Sequence, residues 1–480
     1  MDQFGRKRLP GNKVVRRRMD ATQIISLPTD LDRRDVPHVR THAKRFVLAL
    51  TLLVAVGAVL LTLPWTTESG EATAPIDAFF TAVSASSVTG LVVVDTQDHW
   101  NFFGELVILI LIQVGGLGFM VGASVVLASL GRSLSLRDSL LLQDGAPTLS
   151  LQEATRLSKR ILKFIFACEA IGAVLFTILF AQDEAFPVAL WHGVYTSISS
   201  FCNAGFDLQG NYGSLSAFAD SVWMNGTSLL LIQAGALSFI TFSDMWTGKR
   251  WTRFALDTKL VLVTNAILLA AGTAMFLVLE WNNAMVHLSD WAKPMTAFFQ
   301  SASTRTAGFS TVSFADVHPA TVFLSIAIMM VGGAAGSTTG GVKLATVAIL
   351  TIAVVSTVRG QADAQAYGRR ISQQLVFRAM AVMALFLFAH FILTLGLAIT
   401  EDVIAGKSFG FLPIMLEGMS SVATAGLSTG ITPEISSPGK ILLCIGMYVG
   451  RLGPLTAVYA LQRRQVTARY RFAEAPVRIG

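Results

Sequence analysis

Four short sequences, each built around a single glycine, are the part of this 480-residue chain best suited to chemistry. They read SVTGL at 87–91, CNAGF at 202–206, RTAGF at 305–309 and ATAGL at 423–427. Backbone carbonyl oxygens in such loops can replace the hydration shell of a dehydrated monovalent cation, and glycine reaches the backbone conformations that this requires. The candidate binding groups are therefore the carbonyls of 88–90, 203–205, 306–308 and 424–426, with the side chains of Thr89, Asn203, Thr306 and Thr424 supporting the loops.

The composition predicts an integral membrane protein. Hydrophobic residues make up 53% of the chain and charged residues only 14%, whereas a soluble domain carries roughly 25% charged residues. Soluble enzymes are thereby largely excluded, and we expect no enzyme.

The net charge of +7 could indicate binding of nucleic acid. The basic residues, however, lie at helix ends and in the tails, so we expect no nucleic-acid partner. The three cysteines (Cys168, Cys202 and Cys444) show no metal or disulfide spacing, and no cofactor is expected.

The elements that must position the four loops are apolar stretches and shorter segments in alternation. Eight candidate spans lie at about 46–63, 106–130, 164–180, 228–242, 260–279, 322–355, 376–399 and 441–461. Between the members of each successive pair lies a segment too short to cross a membrane, at 76–86, 188–201, 292–303 and 411–422. The loops recur about every 110 residues, which predicts four copies of one unit: helix, short re-entrant helix, glycine loop, helix.

These boundaries predict an all-α membrane protein with eight transmembrane helices and four re-entrant helices around one central pore. The expected organisation is a basic segment at 1–45, repeat 1 at 46–130, repeat 2 at 160–247, repeat 3 at 258–358, repeat 4 at 376–462 and a basic tail at 463–480.

The orientation follows from lysine and arginine, which are enriched on the cytoplasmic side of membrane proteins. Residues 1–45 contain twelve of them, and the tail and the stretches between repeats are also basic. The ranges 65–100 and 182–220 contain none. We therefore expect both termini in the cytoplasm of a plasma membrane, in a bacterium the inner membrane, and all four glycine loops opening outward. Acidic residues near those loops would raise the local cation concentration.

Two further features lie inside predicted spans. The glycine-rich run (residues 332–343, GGAAGSTTGGVK) cannot form a stable continuous helix and breaks the sixth span. It lacks the GxxxxGK[ST] order and a preceding strand, which argues against a nucleotide site. Arg451 lies within the last span, where a charge is expensive and is a functional candidate by default; its alternative reading is a helix-end arginine that reaches the interface.

The four loops, the glycine-rich run and Arg451 together resemble the Trk/Ktr/HKT superfamily of potassium transporters over about residues 46–462. The resemblance implies four M1-P-M2 repeats around one pore, with K+ as the bound substrate ion. The implied selectivity filter comprises Val88, Thr89, Gly90, Asn203, Ala204, Gly205, Thr306, Ala307, Gly308, Thr424, Ala425 and Gly426. The implied gate comprises Gly332, Gly333, Gly336, Ser337, Thr338, Thr339, Gly340, Gly341 and Lys343, with Arg451 as an electrostatic barrier.

The same resemblance implies function and partners. Plant relatives that favour sodium carry serine in place of the first glycine, so Gly90 implies potassium uptake. The chain looks closest to the Ktr-type bacterial membrane subunit, which implies a homodimer and a cytosolic ring of nucleotide-binding RCK/KTN-type regulatory subunits. A Na+-coupled or Na+-permeable transporter of the same superfamily is the alternative.

Other readings stay open from sequence alone. An intramembrane enzyme could use Cys202 and His192, and a membrane scaffold is a third class, although it gives no reason for four matched loops. Gly115 and its neighbours favour helix packing over dinucleotide binding. Arg305 is expected to point away from the pore and to brace its loop against Asp316 or Glu417.

Overall fold

A computed structural model of the protein describes residues 37–130, 151–248, 250–361 and 363–453. The described residues are almost entirely helical. In chain order the helices are α1 (Pro37–Leu61), α2 (Pro75–Ser87), α3 (Thr96–His99), α4 (Phe102–Leu130), α5 (Leu151–Phe180), α6 (Phe186–Cys202), α7 (Val222–Gly248), α8 (Leu256–Glu280), α9 (Lys293–Ser303), α10 (Pro319–Met329), α11 (Leu344–Val358), α12 (Gln373–Ala398), α13 (Phe411–Ala423) and α14 (Ser437–Leu452).

Smaller elements join these helices. Short 3₁₀ turns lie at Pro64–Thr66, Ser216–Phe218, Trp251–Arg253 and Thr432–Glu434, and α12 continues into a π-helical turn at Ile399–Ile404. Strands β1 (Gln365–Ala366) and β2 (Arg369–Arg370) pair antiparallel between α11 and α12. The described residues from Ala43 onward group as one compact unit, and the unit before it is described only over 37–42, where it is helical.

Four helical segments of the described ranges are long and apolar enough to cross a membrane: Ser158–Phe180, Val222–Thr247, Leu256–Glu280 and Gln373–Ile404. Large apolar side chains on them point outward, as Ile267 and Phe391 do with 62% of their surface exposed. Such apolar faces are favourable in a membrane, where hydrocarbon rather than water surrounds them. The helices therefore support the predicted multi-pass membrane protein.

The short helices lie where the sequence placed the short segments, within two residues at either end. Proline sets the first turn of three of them, at Pro75, Pro187 and Pro294, since its fixed φ suits a helix start. Left-handed residues end α2, α6 and α13, and such a residue stops a helix because it turns the chain away from the axis. None of the four is long enough to span a bilayer.

Several predicted spans differ from the observed helices; α5, for example, begins at Leu151 rather than near position 164. The sixth, expected over 322–355, is two helices, α10 and α11, because the glycine-rich run separates them. The first helix begins at Pro37, ahead of position 46. The predicted tail at 463–480 and the end of the eighth span lie outside the described residues, as does most of 1–45, and the repeat boundaries stay predictions.

The interior around the short helices is unusually polar. Buried hydroxyl side chains cluster at their C-terminal ends, namely Ser84, Ser86, Ser87, Thr196, Ser197, Ser199, Ser200, Ser301, Ser303, Ser420 and Ser421. Apolar residues of the same helices, such as Phe80 and Leu416, pack into the surrounding core. The molecule thus turns apolar groups outward and places small polar groups at its centre, the arrangement expected around a hydrophilic pathway in lipid.

Candidate functional site

The four glycine loops meet at one buried point, and their backbones touch in a closed ring. A Cβ atom built on Gly205 would lie 2.8 Å from the Cα of Gly308, and one on Gly308 would lie 3.3 Å from the Cα of Gly426. A Cβ on Gly426 would lie 3.2 Å from the Cα of Gly90, and one on Gly90 would lie 3.1 Å from the Cα of Gly205. A side chain at any of these four positions would push against a neighbouring loop.

The four loops share one backbone conformation. The glycines all have positive φ, from 72° at Gly205 to 93° at Gly90. The residue two positions before each glycine is also left-handed: Val88, Asn203, Thr306 and Thr424 have φ of 49° to 74°. Such a conformation is rare outside glycine, so its fourfold recurrence at one position marks a shared structural requirement. All twelve predicted loop residues are buried.

The four side chains predicted to support the loops do not occupy equivalent positions. Thr89 is one residue out of register with Asn203, Thr306 and Thr424, because Val88 occupies their equivalent position. Thr89 shares a 2.6 Å hydrogen bond with Ser87, and the amide of Asn203 donates to the glycine-rich run. Within the described ranges, the buried hydroxyls of Thr306 and Thr424 have no hydrogen-bond partner. Counting back two positions from each glycine would have revealed this offset.

Helix ends and further glycines surround the ring. Helices α2, α6, α9 and α13 stop at or just before the loops, so their negative C-terminal ends are close to the loop backbones. Gly115, Gly235 and Gly450 each lie so close to a backbone carbonyl of a short helix that a Cβ would overlap it; those carbonyls belong to Ser86, Phe201 and Val422. The packing interpretation of Gly115 agrees with this contact, and Gly235 and Gly450 pack in the same way.

A cavity of about 590 Å³ opens on one side of the ring. All four glycines reach it, and Asp95, Asp207 and Glu434 contribute carboxyl groups to its lining. Asp95 accepts hydrogen bonds from the N–H groups of Gln97 and Tyr212, which fixes its position. A carboxylate-lined cleft concentrates cations at its base, which here is the glycine ring.

Asp207 has a perturbed acidity within this cavity. Partial burial raises the pKa of Asp207 to about 7, a hydrogen bond from the N–H of Gln209 opposes this rise, and the nearby Asp95 carboxylate adds to it. The charge of the cavity lining therefore changes near neutral pH.

The glycine-rich run lies against residues that precede the glycines, whereas the cavity is lined by residues that follow them. The amide of Asn203 donates to the Thr338 hydroxyl at 2.9 Å, and this hydroxyl lies 3.3 Å from the Phe201 carbonyl oxygen. On the other side, a Cβ on Gly340 would overlap the Ala423 carbonyl. The run therefore touches two of the four loops from the side opposite the cavity.

Two cationic residues hold the glycine-rich run. Arg451 is only 1% exposed, and its guanidinium donates to the carbonyls of Thr338 and, at 2.9 Å, Gly115. The Lys343 ammonium donates to the carbonyls of Thr339 at 2.6 Å and Gly340 at 3.2 Å. The structure thus brings Arg451, Lys343 and the run together beside the glycine ring. Burial of Arg451 disagrees with the alternative of a helix-end arginine that reaches the interface.

The expected partners of Arg305 were wrong. Its guanidinium donates to the Asn265 side chain on α8 at 2.5 Å, and Asn265 in turn donates to Gln233 at 3.1 Å. Glu417 instead accepts from Thr432 at 2.8 Å. Arg305 directly precedes its loop and is 4% exposed, so its side chain packs among helices behind the loop.

The proposed enzymatic pair is not assembled. Cys202 and His192 lie on one helix ten residues apart, a rise of about 15 Å. His192 pairs with Glu184 at 3.0 Å, and the Cys202 thiol lies 3.8 Å from the Gln113 side chain. Their separation removes the sequence argument for a thiol nucleophile with a histidine base.

The fold and the site together define a multi-pass helical membrane protein organised around a buried ring of backbone loops. The model of the family described as "TrkH: Cation transport protein" matches residues 32–466, and the chain belongs to this family. The predicted resemblance is thereby confirmed, and the family is one of transporters, not of enzymes.

Individual proteins show the same relationship. The chain is 34% identical over 432 residues to "Potassium/sodium uptake protein NtpJ" of Enterococcus hirae, covering 89% of this chain and 95% of that protein. It is 33% identical over 433 residues to "Ktr system potassium uptake protein B" of Bacillus subtilis, covering 90% and 95%. The crystal structure of the potassium transporter TrkH from Vibrio parahaemolyticus has a similar fold, with a TM-score of 0.70 at 20% identity over 90% of this chain and 86% of that one.

Proposed function

We propose that this chain is the pore-forming subunit of a potassium uptake system, built from four M1-P-M2 repeats around one pore. The observation that carries the proposal is the closed contact ring of Gly90, Gly205, Gly308 and Gly426. The uptake of potassium named for the relatives in Enterococcus hirae and Bacillus subtilis supports the choice of ion.

The selectivity filter is the set of twelve loop residues. Their backbone carbonyls replace the water around K+, and the nearby C-terminal ends of the short helices favour a cation over an anion. The filter holds the ion as cargo, and the mechanism uses no resident cofactor. Gly90, which leaves the ring free of a side chain, favours potassium over sodium.

The glycine-rich run is the gate. It lies directly beneath two filter loops through Thr338 and Gly340, so an ion leaving the filter meets it next. Arg451 places a positive charge beside the run, which repels a cation at close range. Conduction then requires the run to move away, and Arg451 limits the flow in the closed state.

A second candidate is a Na+-coupled or Na+-permeable transporter with the same pore. The similarity to the potassium/sodium uptake protein of Enterococcus hirae favours this candidate. Both candidates use one filter and differ in whether sodium changes or accompanies potassium flux.

The proposal also includes the orientation of the chain in the membrane and its partner subunits. The proposed orientation has both termini in the cytoplasm, which the basic segments support, and the acidic cavity facing outward. The chain functions as a homodimer on which a cytosolic ring of nucleotide-binding RCK/KTN-type subunits docks, consistent with the Ktr system named for relatives.

Uptake of potassium or rubidium into liposomes that contain the purified chain tests the proposal, with and without sodium. The wild type, Gly90→Ser and Arg451→Ala are compared. We expect potassium-selective flux that becomes less selective against sodium in Gly90→Ser and faster in Arg451→Ala. Dependence of potassium flux on sodium would select the second candidate. Absence of flux for every cation, also in Arg451→Ala and with a regulatory ring added, would refute the pore.

A further inference from the structure

Helix α7 contains a break at Ser238. This residue has φ of 64° and ψ of 152°, far from helical values, although helix continues on either side. Its side chain is 1% exposed, so the break lies inside the protein. That backbone region is almost restricted to glycine, and a serine held there is strained. Neither proline nor glycine occupies the break, so the surrounding structure must hold it.

Two carbonyl groups just before the break bind the glycine-rich run. In a regular helix the carbonyls of Gly235 and Ala236 would accept from the N–H groups four residues later, beyond Ser238. Here the Gly235 carbonyl accepts from the N–H of Thr338 at 3.2 Å, and the Ala236 carbonyl accepts from the N–H of Ala334 at 2.8 Å. Both donors belong to the glycine-rich run.

The side chain of Ser238 compensates little for the strain. Its hydroxyl lies 3.4 Å from that of Thr241, at the long limit of a hydrogen bond. The backbone contact is tight, since a Cβ on Gly333 would overlap the Ala236 carbonyl. The bonds to the glycine-rich run are thus the main visible compensation for the strained residue.

We propose that Ser238 is a positioning residue for the gate: its strained conformation presents two α7 carbonyls that hold the glycine-rich run in place. This inference rests on the proposed function of the run as a gate. When Ser238 relaxes toward helical values, the carbonyls of Gly235 and Ala236 return to helical partners and the run loses two anchors. A serine keeps the two arrangements close in energy, whereas glycine would favour the anchored one.

Substitutions at Ser238 test this proposal through opposite effects on flux. Ser238→Gly removes the backbone strain and is expected to lower basal potassium uptake into liposomes about fivefold, from the typical cost of such a conformation. Ser238→Ala keeps the strain and loses the hydroxyl contact, so we expect uptake to rise about twofold. The preference for potassium over sodium stays unchanged in both variants, because neither alters the filter.

Matched controls use Ser243, a residue in the regular part of the same helix. Ser243→Gly and Ser243→Ala change helix propensity without touching the break, and are expected to leave uptake unchanged. A merely structural role of Ser238 would shift both of its variants in the same direction or leave uptake unaltered, and either result would overturn the proposal.

Hydrogen exchange of the intact chain gives a second measurement that does not depend on flux. The N–H groups of Thr338 and Ala334 should exchange more slowly in Ser238→Gly and faster in Ser238→Ala, by factors similar to the flux changes. Equal exchange in both variants would contradict the anchoring role. If wild-type liposomes carry no potassium but exchange changes as expected, the proposed function fails while the anchoring of the run stands.

Discussion

Replacing Gly205 with alanine tests the proposed filter most directly. The new Cβ would lie 2.8 Å from the Cα of Gly308 and 3.0 Å from the carbonyl oxygen of Ala307. Both neighbours are backbone atoms of the third loop and have no flexible side chain to move away. Ordinary contact begins near 3.4 Å, so one loop must move by about 0.6 Å relative to the other.

The backbone conformation adds to this steric cost. Gly205 has φ of 72°, and an alanine there costs roughly 1–2 kcal/mol more than glycine. This strain lowers stability with or without a bound ion, whereas the displacement moves the filter carbonyls out of position. We expect that displacement to weaken binding of potassium at the proposed filter about tenfold, which corresponds to about 1.4 kcal/mol. The preference for potassium over sodium should fall with it, because displaced carbonyls no longer match the ion.

Initial rates of potassium and sodium uptake into liposomes measure this ratio. Gly70→Ala is the matched control, since Gly70 has φ of 70° but nothing within 4 Å of a built Cβ. It carries the same backbone strain away from the ring, so it should lower stability slightly and leave selectivity intact. Wild-type selectivity in a folded Gly205→Ala protein would refute the ring as the filter.

Three further predictions concern the proposed barrier, the cavity and the packing of two helices. Arg451→Gln removes the buried charge and should raise potassium flux several-fold at unchanged selectivity, measured as rubidium uptake. Because the pKa of Asp207 is raised to about 7, its carboxyl group is neutral below that pH and charged above it. The rate of uptake from dilute potassium should therefore fall between pH 8 and pH 6. Asp207→Asn should give a low uptake rate at every pH, with no such step. Lys440 contacts Asp77 at 2.7 Å, joining α14 to α2, so Lys440→Met should lower the free energy of unfolding by about 1–2 kcal/mol, and a double-mutant cycle with Asp77→Asn should show coupling. Additive effects in that cycle, or an unchanged pH step in Asp207→Asn, would contradict the respective argument.

Much of the fold was predictable because lipid imposes simple rules. The length of an apolar stretch identifies a transmembrane span, and prolines such as Pro75 and Pro187 mark where the short helices begin. The glycine loops could be recognised by recurrence alone, and the structure brings their glycines into mutual contact. These features depend on local sequence, which is what periodicity and turn chemistry report.

Other features depend on tertiary packing and have no local signal. The partner of Arg305 is Asn265, forty residues away on another helix, and nothing in the spacing favours it over a carboxylate. The break at Ser238 lies in an apolar stretch without proline or glycine at that position. The offset of Val88 against Thr306 was readable but required counting from the glycine rather than matching threonines.

The single copy of Arg451 has a consequence for how such a pore can be built. The residues that follow the helix glycines Gly115 and Gly235 are Gly116 and Ala236, whereas the one that follows Gly450 is Arg451. In a ring of four identical subunits, an arginine at this position would appear four times and place four guanidinium groups around one narrow axis, at a large electrostatic cost. In the proposed four-repeat pore, one polypeptide supplies all four quarters and each quarter is encoded separately. Asymmetry around the axis is then available to this chain and forbidden to a symmetric tetramer.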